Sequence, residues 1–167
     1  MKLLFSLFAI VMLSESCNST KENVLDSTKI ETSESNNEMR KLADKDMVIE
    51  YRASTRGFFE IITIEGDSMS FTNDYNLKRI HKFAIPNNEK ETLAGLLNAL
   101  DITTLSELEP PSKTHQYDAA PAAYLKIKKG DDEYMTPSFD HGKPPKAIND
   151  IVEKIISIKT MLEKQQG

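Results

Sequence analysis

The sequence predicts an α+β domain, an antiparallel sheet in the element order ββββα-ββα with two amphipathic helices packed on one face. Three observations predict it. The β-rich runs are grouped instead of alternating one by one with helices, which rejects the βαβ succession of parallel folds. Two Gly-Asp pairs, Gly66-Asp67 and Gly130-Asp131, sit between such runs at hairpin spacing. Two further stretches repeat apolar residues at helical spacing, enough to cover one sheet face.

Each element has its own signal. Met47, Ile49 and Tyr51 alternate with Val48, Glu50 and Arg52, the period of a strand with one buried face. After Thr55-Arg56-Gly57 comes Phe58 to Ile64, apolar on both faces and therefore expected in the middle of the sheet. Gly66-Asp67 turns the chain into Ser68 to Thr72, and a turn at Asn73 to Asn76 leads to a fourth strand expected over Leu77 to Ile85. Pro86 stops that strand, and Asn88 with Glu91 has the layout of a capping box. Leu93, Leu96, Leu97 and Leu100 then form one helical stripe, whose burial contributes roughly 6 to 12 kcal/mol of gross transfer free energy.

Asp101 to Pro121 contains Pro110, Pro111 and Pro121 and no sustained period, so it reads as a long loop with a helical turn at Thr103 to Leu108. A second hairpin follows, with Ala123, Leu125 and Ile127 on one face, Gly130-Asp131 at the turn and a return over Tyr134 to Phe139. Pro144-Pro145 opens the last helix, striped by Ile148, Ile151, Val152, Ile155, Ile158 and Leu162. In element order the domain is similar to β-lactamase inhibitor and PepSY-like envelope proteins, an analogy of architecture carried by no shared motif.

The first sixteen residues carry an address. Lys2 is followed by an apolar run from Leu3 to Leu13 broken only by Ser6, too short to span a bilayer and suited to a signal peptide. It ends at Ser14-Glu15-Ser16-Cys17, and Cys17 is the chain's single cysteine. Ser16-Cys17 resembles the processing site of a bacterial lipoprotein of the Bacteroidetes type. The resemblance implies that residues 1–16 are removed, that Cys17 is acylated and N-terminal, and that the protein is lipid-anchored in the cell envelope, at the outer membrane. Ser14 and Ser16 also form a small-x-small site for ordinary signal peptidase, which would release a secreted or periplasmic chain.

Residues 17–45 are then a lipidated cysteine and a tether, polar and without aromatic residues, and 46–167 a single domain. A coil of about 27 residues holds its ends roughly 30 Å apart on average and reaches about 90 Å when extended.

Composition narrows the function classes. The formal net charge is −5, the wrong sign for a phosphate-neutralising surface, so nucleic acid is not an expected partner. One cysteine excludes an intramolecular disulfide and a Cys-rich zinc site. Phosphate-binding glycine motifs are absent, as is G-x-S-x-G, and no cofactor is expected.

The acid-base candidates are the three histidines. His81 lies in a basic strand segment and is expected at the surface. His115 and His141 fall in loops beside Asp118 and Asp140, and if those loops converge, the four side chains supply a metal-binding or hydrolytic set. Against this, Asp140-His141-Gly142-Lys143-Pro144-Pro145 is turn chemistry, and adjacent strand residues point to opposite faces. A nominal serine triad of Ser138, His141 and Asp118 has no supporting motif.

The Pro-led loop Glu107 to Tyr117 is either a recognition element or a plain connector. The sequence therefore points to a non-catalytic envelope domain that binds an envelope protein, peptide or small ligand, or that serves structurally. A metal-dependent or other hydrolase using the loops near His115 and His141 is the alternative.

Overall fold

In a computed structural model of the protein, the described residues are 47–165. The expectations for the signal segment, Cys17 and the tether fall outside them. The chain forms β1 (Met47–Thr55), β2 (Phe58–Glu65), β3 (Ser68–Thr72), β4 (His81–Ala84), α1 (Asn87–Asn98), β5 (Ala122–Lys129), β6 (Asp132–Met135), β7 (Phe139–Asp140) and α2 (Asn149–Lys164). Short 3₁₀ helices span Ile102–Glu107, Thr114–Tyr117 and Lys146–Ile148.

All strand pairs are antiparallel, in the order β4-β3-β2-β1-β5-β6, and β7 continues along the edge of β5 beyond β6. The expected α+β architecture is thus the observed one. Register explains why one face is apolar throughout. Tyr51 stands opposite Ile62 on one side and Leu125 on the other, Ile49 opposite Ile64 and Ile127, and Ile64 opposite Met69. Because side chains alternate, aligning these residues in rows buries the whole set together.

The helices close that face. Leu93, Ala94 and Leu97 of α1 and Ile151, Val152, Ile155, Ile158 and Leu162 of α2 are buried in the same cluster as the strand residues, with Ile148 just ahead of α2. Leu96 and Leu100 pack at its margin. Lys154 of α2 pairs with Glu89 of α1 at 2.8 Å, and Lys159 bridges Glu60 of β2 and Glu163 at 3.0 and 2.8 Å. The opposite face is half-buried and mixed, with Glu50 accepting from the Tyr124 hydroxyl at 2.8 Å and Arg52 lying over the Phe59 ring.

The two Gly-Asp pairs are two-residue turns, closing Glu65 against Ser68 and Lys129 against Asp132. Gly66 (φ 54°) and Gly130 (φ 60°) take the positive φ that the first position of a type II′ turn requires.

Three local expectations are corrected. The fourth strand is only His81–Ala84, because the Asp74 side chain accepts the N–H groups of Asn76 and Lys78 and keeps the preceding residues wound in a loop. Helix α1 has no capping box: its N-cap is Pro86, without a side-chain cap bond, and Asn88 bonds Glu89 instead. The return strand is broken. Between the pairs Lys126–Met135 and Ala123–Phe139, β5 advances three positions while its partner advances four. The extra residue lies in Thr136-Pro137-Ser138, where proline has no N–H for the ladder. There the Thr136 hydroxyl takes over as acceptor of the Leu125 N–H, at 3.1 Å. The bulge changes phase: Tyr134 and Phe139, five positions apart, both pack into the core.

Candidate functional site

That phase change turns Asp140 away from the core and toward the long loop. Its partner across the sheet is Ala122. The side chain is 1% exposed. Oδ1 accepts the backbone N–H of His115 and the His115 ring Nδ1–H, both at 2.7 Å, and Oδ2 accepts the N–H of Thr114 at 3.0 Å and its hydroxyl at 2.7 Å. The Ser112 hydroxyl also donates to it. Burial by itself would raise the Asp140 pKa, but these donors outweigh it and hold the carboxyl well below the usual carboxylate range.

The loop reaches this position through two 3₁₀ turns. Asp101 caps the first by accepting the Thr103 N–H at 3.0 Å, and the buried Leu105 seats it on the core. The second, Thr114–Tyr117, offers consecutive N–H groups and the His115 imidazole to Asp140. It ends at Asp118, which adopts left-handed backbone (φ 57°).

His141 belongs to a different cluster. Its backbone N–H bonds the Pro121 carbonyl, and its ring approaches Tyr51 and Phe58 at centroid distances of 6.0 and 5.3 Å. Burial first, then the charge of Glu60, push the Tyr51 phenol upward, and its hydroxyl shares a hydrogen bond with Nδ1 of His141 at 2.7 Å. Asp140, the last residue of β7, and His141, the first of the turn after it, thus meet different partners.

Of the four sequence candidates, the structure brings His115 and Asp140 together. His141 pairs with Tyr51, and Asp118 is an exposed turn residue. The convergence of two imidazoles and two carboxylates does not occur, and among the described residues no group of three or more His, Cys, Asp or Glu is placed to hold a metal ion. The nominal triad is likewise not assembled, since the histidine bonded to an aspartate is His115. His81, exposed on β4, stacks on Phe71 at 5.8 Å.

A cleft of about 390 Å³ opens beside this clasp of Asp140 on the loop, bordered by Glu107, Glu109, Pro110, His115, Pro137 and Ser138 among others. Sequence reasoning missed Ser112, Thr114 and Tyr51. The only signal for the first two was a run of donors, Ser112-Lys113-Thr114-His115, directly after Pro110-Pro111.

A carboxylate saturated in this way does two chemical things. It locks the loop backbone, and it fixes the His115 tautomer with Nδ1 protonated, leaving Nε2 as the basic nitrogen of the neutral ring. Compared with protein-family models and with curated protein sequences, the chain matches none.

Proposed function

We propose that the protein is a non-catalytic envelope domain, held near the membrane by lipid on Cys17, that binds an envelope protein, a peptide or a small ligand through the loop 107–118 and its cleft. The observation that carries this reading is the use made of Asp140. Most of its hydrogen bonds go to the backbone and hydroxyl groups of the loop, the arrangement that rigidifies a recognition segment before it meets its partner. At the end of that segment Tyr117 is 83% exposed. A rigidly presented tyrosine is a residue type enriched at the energetic centres of interfaces.

The test is a photo-crosslinking amino acid at position 117 in intact cells, with position 133 in the β6 hairpin as control. Discrete adducts from 117 and none from 133 are expected. Equal yields, or none from either, would remove the loop from the binding surface.

A second reading, a hydrolase, is favoured by one observation: His115 Nδ1 lies 2.7 Å from a buried carboxylate, and Ser138 borders the same cleft. In that role Asp140 orients the imidazole and Nε2 takes a proton from the nucleophile. Loss of an ester- or peptide-cleaving activity in Ser138→Ala with unchanged melting, and in His115→Ala at a temperature where that variant remains folded, would establish it in place of the first.

A further inference from the structure

The connection between β3 and β4 has a character unlike the rest of the surface. Within six residues it exposes three large apolar side chains: Tyr75 is 74%, Leu77 50% and Ile80 57% exposed. Among them are Lys78 and Arg79, with Lys82 following, and residues 75–82 contain no acid in a chain whose net charge is −5. Single exposed apolar residues are ordinary, but three in one loop interleaved with cations are not.

The loop is also built to hold them outward. Asp74 organises it from inside: its carboxylate accepts the N–H groups of Asn76 and Lys78 at 3.0 and 3.2 Å, its carbonyl accepts that of Leu77 at 2.9 Å, and its own N–H bonds the Thr72 hydroxyl. Backbone N–H bonds from Asn76, the largest contribution, Lys78 and Arg79, together with the Arg79 guanidinium 3.8 Å away, outweigh desolvation and keep that carboxyl below its ordinary pKa. Leu77 is held at φ 56°, a left-handed backbone that disfavours a branched apolar residue and that glycine would adopt freely. Tyr75 meets Phe59 edge to face with ring centroids 5.2 Å apart, and the Arg52 guanidinium lies over the Phe59 ring, 5.2 Å from its centre. The patch therefore runs from the loop onto the sheet face away from the helices and adds a further cation.

We propose that this loop is a membrane-docking element that binds the surface of an anionic phospholipid bilayer, with Tyr75, Leu77 and Ile80 entering the headgroup region and Lys78, Arg79 and Lys82 meeting lipid phosphates. Charge complementarity selects the occupant: Lys78, Arg79 and Lys82 fall among the loop's exposed apolar residues with no acid between Tyr75 and Lys82, in a chain whose net charge is −5, so this loop presents cations and apolar side chains together to an anionic plane. An acidic protein surface would satisfy the lysines but would need a shaped pocket for each of Leu77 and Ile80. A bilayer interface accepts scattered apolar side chains without shape complementarity and favours tyrosine at the headgroup level. Such a contact would orient the domain on the membrane and goes beyond the anchor at Cys17, on which it does not depend.

The test uses the full chain carrying Cys17→Ala, so that no acyl chain contributes, sedimented with vesicles of phosphatidylcholine alone or of three parts phosphatidylcholine to one part phosphatidylglycerol. Two variants in the same background, Lys78→Gln/Arg79→Gln and Leu77→Ser/Ile80→Ser, isolate the loop from any affinity of residues 1–16. The parent should prefer the anionic vesicles, and the charge variant should bind them roughly thirtyfold more weakly, at about a tenfold or smaller loss per cation. The serine variant should weaken binding to both compositions. All three should melt alike, because the changed side chains are exposed. Equal vesicle binding by parent and variants, or binding by none of them, overturns the proposal, and so does capture of an acidic protein by a parent that ignores vesicles. Lipidation of Cys17 is read separately by mass spectrometry of the mature N-terminus, so failure of the anchor and failure of the loop give different results.

Discussion

Asp140 shows how one buried side chain organises a loop. Because its folded pKa lies below the unfolded value of about 3.9, its contribution to stability is present above about pH 4 and is lost as pH falls through the folded value. Asp140→Asn should therefore be less stable at neutral pH, with a flatter decline into acid, when urea midpoints are followed from about pH 7 to about pH 3. Parallel acid limbs in the two proteins would show that another carboxylate controls acid unfolding. Tyr51 makes a smaller test. Its ring is fully buried and its hydroxyl is hydrogen-bonded to His141, which is itself partly open to water. Tyr51→Phe keeps the packing and removes one hydrogen bond, so it should cost about 0.5 to 1.5 kcal/mol by denaturant unfolding. A loss above that range would mean that the His141 cluster carries more of the fold than this bond.

At the scale of elements, the broken return strand is the decisive feature. Thr136 is buried, its N–H bonds the Leu125 carbonyl, and its hydroxyl accepts the Leu125 N–H. Thr136→Val preserves shape and leaves that N–H without its acceptor, so destabilisation of about 1 to 3 kcal/mol is expected. If the bulge also sets the phase of β7, the same variant should loosen the clasp, read as faster amide exchange at Thr114 and His115. Protection unchanged at those two amides would separate the bulge from the loop. Helix α2 behaves more simply: its stripe spans the core and its last buried residue is Leu162, after which the chain is exposed.

For the whole molecule, the proposed arrangement is a rigid domain on a long tether, with a clasped loop for a partner and a basic apolar loop for the membrane surface. Cys17→Ala should move the protein from the detergent-extracted fraction to the soluble periplasmic or secreted one and leave the melting temperature of the domain unchanged. Fractionation with mass spectrometry of the mature N-terminus checks this. An unmodified Cys17 thiol on a soluble parent would show that ordinary signal peptidase processes the chain.

By itself the sequence determined the fold class, the hairpin turns and the core. Period-two alternation in β1 and β5 and helical spacing in α2 are local signals, and Ile49, Tyr51, Leu125, Ile151, Ile155 and Leu162 were all assigned to the core by spacing alone. The candidate site was half legible: His115 and Asp140 were picked out as residue types, but their pairing was not. They lie 25 positions apart, and which of two neighbouring side chains, Asp140 or His141, faces the loop depends on the count of residues in one bulge. Only tertiary structure decides that, because a one-residue change of phase in a strand reverses every side chain after it, and the stability of the bulge rests on bonds to a different strand.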